Sequence, residues 1–363
     1  MKVYLHIGTY KTGTSAIQRF LHSNRQKLLE YNIVYPEFKQ HKYAHHMLAW
    51  SYMPHKKDLQ KSTISFKDIV SYMEKYPQKT LLLSSEMFYA IEDIQKLQND
   101  LQTLEIFPKI IVYLRRQDYW LESRYNQITK SPRNNKAGFV DTLKNIELNW
   151  FTRLQKWEQA FGRENLIVKA YEKQQMPQGL IINFLHILNI TQMDAFQMPT
   201  KKINTSLDLD LLELKRLLNT MNYPVELSTL NEINENLQPF SQKLFSFEER
   251  QKIIKKYTHS NCQIAERYLN RKTLFYDDFP NNKNQYKQYN GLQLEKAIAL
   301  FISITKAQQK QLQIKQQLTL QNKTKRYKKK LRRAKRLSVI FGILLLLKFF
   351  LILYLLYLIA YRY

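Results

Sequence analysis

Four short apolar runs, with helical patterns between them, constrain the fold of this chain more than any other feature of its sequence. Such runs are typical of strands buried on both faces, and the alternation predicts an α/β fold in which helices flank a parallel sheet. The predicted strands are Val3–Ile7, Thr80–Ser84, Ile110–Leu114 and Leu166–Ala170. The predicted helices between them are Ser15–Tyr31, Ile91–Leu104 and Tyr119–Ile128. Because ligands bind beyond the carboxyl ends of such strands, the residues that follow each strand are the candidates for a site.

The first strand runs into the loop GTYKTGTS, which contains Gly8 and Gly13. Glycines at a strand-to-helix turn permit close backbone approach, and the amides from Lys11 to Ser15 would face an oxyanion at the helix N-terminus. The loop differs from a Walker A loop, G-x-x-x-x-G-K-[ST], because Lys11 precedes the second glycine. The alternative interpretation is a plain turn with a helix cap at Thr14 or Ser15.

Polar residues also follow the next two predicted strands. Glu86 comes after the second strand, where a carboxylate serves either as a helix cap or ion-pair partner or as a catalyst. Arg115 ends the third strand, and Ser123 lies eight positions later on the following helix. An arginine fork and a hydroxyl at these positions can together hold a terminal phosphate. Alone, Arg115 would be interpreted as a surface ion-pair residue.

Taken in chain order, these features resemble the two phosphate-binding signatures of the sulfotransferases that use 3′-phosphoadenosine 5′-phosphosulfate (PAPS). The resemblance rests on KTGTS after the first strand, on Arg115 followed by Ser123, and on the stretch Trp157–Glu172. It extends over residues 1–172 and is greatest for the bacterial and Golgi-type carbohydrate enzymes. Tyr10 stands where proline is frequent in that family, and the glycine-rich C-terminal signature of the cytosolic members has no good match in this sequence.

The resemblance implies a P-loop-like sulfotransferase fold and direct in-line transfer of a sulfuryl group to an acceptor hydroxyl, with no metal required. Lys11 would neutralise charge on the leaving phosphate, and Glu86 would take the acceptor proton. Arg115 and Ser123 would hold the 3′-phosphate. The residues implied at the 5′ end of the donor are Lys11, Thr12, Gly13, Thr14 and Ser15. The nearest candidates for the adenine and the rest of the 3′-phosphate site are Lys202 and Asn204–Ser206.

Three histidines lie in the stretch HKYAHHMLAW. We expect His41, His45 and His46 to line an acceptor pocket or to be structural, since neither a cysteine nor a carboxylate stands at metal-ligand spacing. His45 is the second candidate for the general base. The single cysteine, Cys262, excludes an intrachain disulfide and favours a reducing compartment.

Basic residues give the chain a formal net charge of +27, and ten of them fall within the fourteen positions Lys323–Arg336. This excess predicts an anionic partner. The apolar run Leu337–Tyr361 follows, and its length predicts a helix that crosses the membrane, although Lys348 interrupts it; a helix in the membrane plane is the alternative. The basic block ahead of the run then predicts a single-pass C-terminal anchor, with the catalytic domain in the cytoplasm.

The sequence divides into three predicted parts. These are a catalytic domain at residues 1–290, a helical, basic stalk at 291–336 and a transmembrane anchor at 337–361. In the stalk region, apolar residues spaced mostly by three and four between Leu292 and Gln321 predict a long helix, through which the protein would self-associate as a weak coiled coil.

Three classes of function fit these patterns. The favoured one is a membrane-anchored carbohydrate sulfotransferase, with PAPS as donor, a glycan or glycolipid as acceptor, and no nucleic acid as partner. The second is a P-loop kinase or NTPase, against which the position of Lys11 and the lack of an obvious magnesium-binding pattern argue. The third is a non-catalytic protein that binds a membrane surface or nucleic acid through its basic stalk.

Overall fold

The computed structural model describes residues 1–37, 43–53, 64–131, 135–199, 206–237, 242–276, 283 and 286–360. Its strands are β1 Lys2–His6, β2 Ile33–Val34, β3 Thr80–Ser84, β4 Phe107–Leu114 and β5 Leu166–Ala170. The helices of the first half are α1 Thr14–Ser23, α2 Arg25–Glu30, α3 His46–Trp50, α4 Phe66–Met73, α5 Ile94–Thr103, α6 Gln117–Lys130, α7 Phe139–Leu143 and α8 Trp150–Phe161. Those of the second half are α9 Leu180–Ile187, α10 Leu209–Thr220, α11 Leu227–Glu235, α12 Phe247–Leu269 and α13 Leu294–Ala360.

The strands form one parallel sheet in the order β2-β3-β1-β4-β5. The first strand is central: Leu5 pairs with Leu83 on one side and with Ile110 on the other. The predicted parallel sheet is therefore confirmed. Because β3 and β4 flank β1, the residues that follow these three strands emerge side by side at one edge of the sheet.

Helices cover both faces of the sheet because alternate strand residues point to opposite sides. On one face, Tyr4 and Tyr113 belong to a buried cluster with Phe20 of α1 and Phe184 of α9. On the other face, α8 packs against β4 and β5 and buries Trp157 completely. This two-sided burial explains why the strands read as continuous apolar runs.

Two local features differ from the sequence-based expectations. The short strand β2 was not predicted, since two apolar residues give no periodic signal. The predicted helix Ser15–Tyr31 is broken at Asn24, whose side chain donates to the Phe20 carbonyl oxygen over 2.9 Å. The Asn24 backbone amide also donates to the Phe20 carbonyl oxygen over 3.0 Å, and Asn24 is the residue that caps the end of α1 and the start of α2.

The chain divides into two units. The first comprises Met1–Leu227 and Leu237–Gln293 and contains the sheet; the second combines Ser228–Asn236 with the chain from Leu294 onwards. Within the second unit, the Thr229 hydroxyl donates to Gln311 Oε1 at 3.0 Å, and Lys310 pairs with Glu232 at 3.5 Å. The predicted domain boundaries at residues 290 and 336 stay predictions.

The predicted transmembrane helix at 337–361, and with it the single-pass membrane localisation, is wrong. Across the part of the chain that the structure describes, no helix combines the length and the apolar character that a membrane crossing requires. Helix α13 carries the basic block up to Arg336, and Lys348 then divides the apolar run, so the uncharged stretch between them is far shorter than the roughly 20 residues of a span. The cytoplasmic orientation was inferred from that anchor and has no other support.

Candidate functional site

The loop between β1 and α1 has an unusual backbone. Gly13 caps α1 with φ 76°, and Lys11, which is not a glycine, also has a left-handed φ of 69°. A Cβ at Gly13 would lie 2.3 Å from Leu180 Cδ2, so only glycine fits there. The Gly13 carbonyl oxygen accepts the first helical bonds, from Ala16 at 2.9 Å and Ile17 at 3.2 Å. Helix α1 therefore begins at this loop, and a helix N-terminus favours an anion.

Two threonine hydroxyls stabilise this loop by hydrogen bonds to backbone carbonyl oxygens. The Thr12 hydroxyl donates to the Thr9 carbonyl oxygen over 2.7 Å, and the Thr9 hydroxyl donates to the Tyr113 carbonyl oxygen over 3.0 Å. Both side chains are buried. The Thr12 hydroxyl therefore fixes the loop, which leaves the ligand-binding role predicted for Thr12 to its backbone amide. Thr14 is also buried, whereas Ser15 is exposed at the start of α1.

Arg115 joins the end of β4 to the loop. Its guanidinium donates to the Lys11 carbonyl oxygen over 3.0 Å and lies 5.6 Å from the centre of the Tyr171 ring. Burial lowers the pKa of Arg115, but an arginine stays charged at any physiological pH. Two of the predicted site segments, far apart in the sequence, thus meet at one point.

A cavity of about 150 Å³ opens beside Arg115. Ser123 contributes to its wall from the second turn of α6, as the eight-residue spacing predicted. Of the four residues named for the adenine side, Ser206 lines the same cavity, while Lys202, Asn204 and Thr205 lie outside the described residues. The polar residues of the lining are Arg115, Glu122, Ser123, Asn126, Ser206, Gln242 and Lys243.

Lys243 is a cation that the sequence did not reveal. Two backbone hydrogen bonds fix its segment. The Lys243 amide donates to the Lys287 carbonyl oxygen at 2.9 Å, and the Tyr289 amide donates to the Lys243 carbonyl oxygen at 2.8 Å. Its ammonium lies 5.5 Å from the centre of the Tyr119 ring. No motif surrounds this residue, and only the fold brings it to the cavity.

A buried ion network fixes the wall of the cavity. Arg250 pairs with Asp118 and, at 2.6 Å, with Glu122, while Arg116 pairs with Asp118 at 2.8 Å. Burial acts to lower the pKa of Arg250, but the two carboxylates outweigh it and the net change is upward. Glu122 also accepts the Leu244 amide at 2.9 Å. The network thus balances the negative charge of Glu122, the one carboxylate of the cavity lining. It also fixes the segment that contains Lys243.

The site is strongly cationic around Lys11. Burial, followed by the charges of Lys130, Arg115 and Arg124, lowers the pKa of Lys11 to about 8. Arg124 lies 5.5 Å from the centre of the Tyr10 ring, within the same loop. Bringing these like charges together costs free energy, and an anionic ligand would offset their repulsion. The arrangement therefore suits an anionic ligand.

Glu86 lies on the other side of the loop, directly after β3. Gln18 Nε2 donates to Glu86 Oε2 over 2.8 Å, and His46 Nε2 is 4.0 Å from the same oxygen. A Cβ at Gly8 would be 3.7 Å from Glu86 Cβ, so the carboxylate side chain begins next to the loop. The side chains of Glu86 and His46 are each 14% exposed, which leaves them partly accessible.

His45, the second candidate base, has a structural environment. Its Nδ1 accepts the Ser84 amide at 3.1 Å, and its Nε2 lies 3.1 Å from the Pro36 carbonyl oxygen, to which it donates. The ring is buried, and burial lowers the pKa of His45 to about 4. Both nitrogens are therefore engaged in packing β3 against the chain near Pro36. His41 lies outside the described residues, and His46 is the histidine that approaches Glu86.

Among the residues that the structure describes, no group of three or more histidine, cysteine, aspartate or glutamate side chains has the arrangement of a metal site.

Comparison with known proteins gives similarities in sequence and in structure. No family model matches the chain. An uncharacterised protein of Archaeoglobus fulgidus is 29% identical over 203 residues, which are 54% of this chain and 55% of that protein. The chain thus spans about half the length of the curated relative it matches. A crystal structure of a sulfotransferase from Alicyclobacillus acidocaldarius is similar with a TM-score of 0.39 and 15% identity, over 61% of this chain and 96% of that one.

Proposed function

We propose that this protein is a sulfotransferase that moves a sulfuryl group from PAPS to a hydroxyl of a carbohydrate or glycolipid acceptor. One observation carries the proposal. The Lys11 loop and Arg115, which are 104 positions apart and were singled out separately in the sequence, are joined by a 3.0 Å hydrogen bond at the carboxyl ends of two adjacent strands. The two phosphate-binding segments of the donor site would therefore form one continuous surface.

The residues present fit the two anionic ends of the donor. The cavity beside Arg115 is lined by two cations, by hydroxyls and by side-chain amides, and its volume of about 150 Å³ suits a compact anion such as a phosphoryl group. The loop offers backbone amides and the helix N-terminus to a second anion. The fit supports a nucleotide with phosphates at both the 5′ and 3′ positions.

We assign the two ends of the donor to different residues. Lys11 and the amides from Gly13 to Ser15 would hold the 5′ end, while Arg115, Ser123 and Lys243 would hold the 3′-phosphate. A guanidinium fork and an ammonium in one cavity bind a phosphoryl group through charge-assisted hydrogen bonds. These contacts would separate PAPS from ATP, which has no 3′-phosphate.

In the proposed direct transfer, the protein itself forms no covalent bond to the sulfuryl group. When bound, PAPS supplies the sulfuryl group. Glu86 would accept the proton of the acceptor hydroxyl as that oxygen bonds to sulfur, and Lys11 would offset the charge that the leaving phosphate oxygen gains as its bond to sulfur breaks. Positioning and charge stabilisation dominate such transfers, as they do in phosphoryl transfer.

A transfer assay with radiolabelled PAPS tests the proposal, with glycans and glycolipids extracted from the source cells as acceptors. We expect label in an extracted acceptor with the wild-type chain and none with Lys11→Ala. A parallel reaction with labelled ATP and Mg²⁺ tests the kinase alternative. Transfer of phosphate from ATP, or hydrolysis of ATP with no PAPS-dependent labelling, would overturn the sulfotransferase proposal.

A further inference from the structure

A histidine that the proposed reaction does not use lies between a buried serine and Glu86. His46, the first residue of α3, has its Nδ1 2.7 Å from the Ser85 hydroxyl oxygen and its Nε2 4.0 Å from Glu86 Oε2. Ser85 and Glu86 are consecutive residues after β3, yet they meet opposite sides of the same imidazole ring. The imidazole ring therefore lies between the Ser85 hydroxyl and the Glu86 carboxylate.

The hydrogen bonds of Ser85 determine which nitrogen of His46 carries the proton. The Ser85 side chain is completely buried, and its oxygen accepts the Met87 amide over 3.1 Å. A buried hydroxyl also donates its hydrogen. Among the described residues, the acceptor within reach of this hydroxyl is His46 Nδ1. In the neutral ring, Nδ1 is then the acceptor and Nε2 carries the hydrogen, on the side of Glu86.

Two N–H groups therefore face the same oxygen of Glu86. The amide of Gln18 donates to Oε2 over 2.8 Å, and the His46 Nε2–H faces Oε2 across 4.0 Å, which is an electrostatic contact and not a hydrogen bond. Two tyrosines also face the carboxylate: burial first, and then the charge of Glu86, raise the pKa of Tyr10 and of Tyr35. Both tyrosines stay neutral near pH 7, so neither adds a charge beside Glu86.

We propose that His46 is a positioning residue for Glu86, with its tautomer set by Ser85, so that the imidazole orients the carboxylate. The inference rests on the proposed function only in giving Glu86 the role of the base. The Gln18 hydrogen bond and the His46 contact both fall on Oε2, which leaves the other carboxylate oxygen to meet the acceptor hydroxyl.

Nitrogen-15 NMR of the full-length chain, labelled at histidine, tests the contact without any transfer reaction. We expect the neutral His46 ring to carry its hydrogen on Nε2, and to lose this preference in Ser85→Ala. We also expect the His46 ring to protonate at a lower pH in Glu86→Gln, because the variant removes a nearby negative charge. A neutral ring protonated on Nδ1 in the wild type, or an unchanged protonation pH in Glu86→Gln, would overturn the proposal.

Kinetics then tests the positioning role. His46→Phe should lower turnover about tenfold or more and leave the KM for the donor within about twofold, since the ring is not expected to touch the nucleotide. His46→Gln keeps an N–H close to the Nε2 position and should recover most of the loss. A His46→Phe enzyme with wild-type turnover would overturn the role. If the NMR coupling is present but the wild type transfers no sulfuryl group, the proposed function fails while the pairing of His46 with Glu86 stands.

Discussion

At the scale of single residues, Lys11 carries a charge that depends on the ligand. Its surroundings lower its pKa to about 8, and an anionic ligand should raise it again. Below about pH 7, Lys11 is charged with or without ligand. Above pH 8, the free site has lost this proton and the bound site keeps it, so binding of adenosine 3′,5′-bisphosphate should take up a proton and weaken as the pH rises.

Calorimetric titrations at pH 8.5, in buffers with different ionisation enthalpies, measure this proton uptake. The wild type should take up a substantial fraction of one proton, and Lys11→Arg, which is charged throughout, should take up less. Heats that are independent of the buffer would mean that Lys11 is not in contact with the bound anion.

Arg115 should distinguish the two phosphates of the nucleotide. Arg115→Ala should weaken binding of adenosine 3′,5′-bisphosphate by about 1.5–3 kcal/mol, which is the scale of hydrogen bonds to charged groups, and should barely change binding of adenosine 5′-monophosphate. The matched control is Lys109→Ala, which removes a charge from the same strand, outside the lining of the cavity. Equal losses for the two nucleotides in Arg115→Ala would exclude a 3′-phosphate role.

Glu86 should affect turnover and not donor binding. Glu86→Gln can still accept from Gln18 through its carbonyl oxygen but cannot act as the base, so turnover should fall about 10²–10⁴-fold while the affinity for the nucleotide stays unchanged. His45→Ala is the control: it removes two buried hydrogen bonds and should lower the thermal midpoint while turnover changes only a few-fold. A Glu86→Gln enzyme with normal turnover would remove the base assignment.

At the scale of secondary-structure elements, the turn from β1 to α1 stores strain at Lys11. A non-glycine residue in the left-handed region costs about 1–2 kcal/mol, and glycine relieves this at a cost of roughly 0.5–1 kcal/mol in the unfolded chain. Lys11→Gly should therefore be at least as stable as the wild type in urea denaturation, although it should lose activity. Proteins retain backbone strain at functional positions, and we expect this to be why a lysine stands at position 11 despite its cost in stability.

Gly13→Ala is the contrasting variant in the same turn. It meets both a left-handed φ and a Cβ position 2.3 Å from Leu180, so its urea midpoint should fall. If Lys11→Gly lost as much stability as Gly13→Ala, the lysine would be supporting the turn and not straining it.

Four of the five strands could be predicted from the sequence, because each contains a compact apolar run that is typical of a strand buried on both faces, whereas β2 was missed. Thr80–Ser84 and Leu166–Ala170 have the predicted bounds. The predicted positions of Lys11, Glu86 and Arg115 followed from the rule that ligands bind beyond strand ends. By contrast, Lys243 and His46 lie outside any motif, and their neighbours are fixed by tertiary packing that a single sequence does not reveal.

The C-terminal segment was misjudged for a related reason. The length of the apolar run predicted a membrane-crossing helix although Lys348 interrupts it. The structure has a single helix, α13, that carries the basic and the apolar segments alike. The amino-acid composition of the segment alone could not distinguish a separate membrane-crossing helix from this single long helix.

At the scale of the whole molecule, the predicted boundary at residue 290 cuts through the second unit. Ser228–Asn236 belongs to that unit and bonds to Gln311 and Lys310 of α13. We therefore expect a chain ending at residue 290 to have a lower urea midpoint than one ending at residue 322, which keeps both partners but lacks the basic block Lys323–Arg336. Both chains should bind adenosine 3′,5′-bisphosphate equally, because the loop and the cavity lie in the first unit. Equal urea midpoints would show that α13 contributes nothing to the stability of α11.

The central position of β1 also has a consequence during synthesis. Lys11 leaves the ribosome early, but Arg115, which bonds to its carbonyl oxygen, follows 104 residues later, after an interval of about 5–20 s at typical translation rates of ~5–20 residues/s. Parallel pairing between such distant strands is intrinsically slow to form. Although β3 emerges earlier, the Lys11 loop lacks β4 and Arg115 for that period, so a nascent chain should be unable to retain nucleotide. The donor would then act as a ligand of the completed sheet, and its cellular concentration would stabilise finished molecules without accelerating their folding.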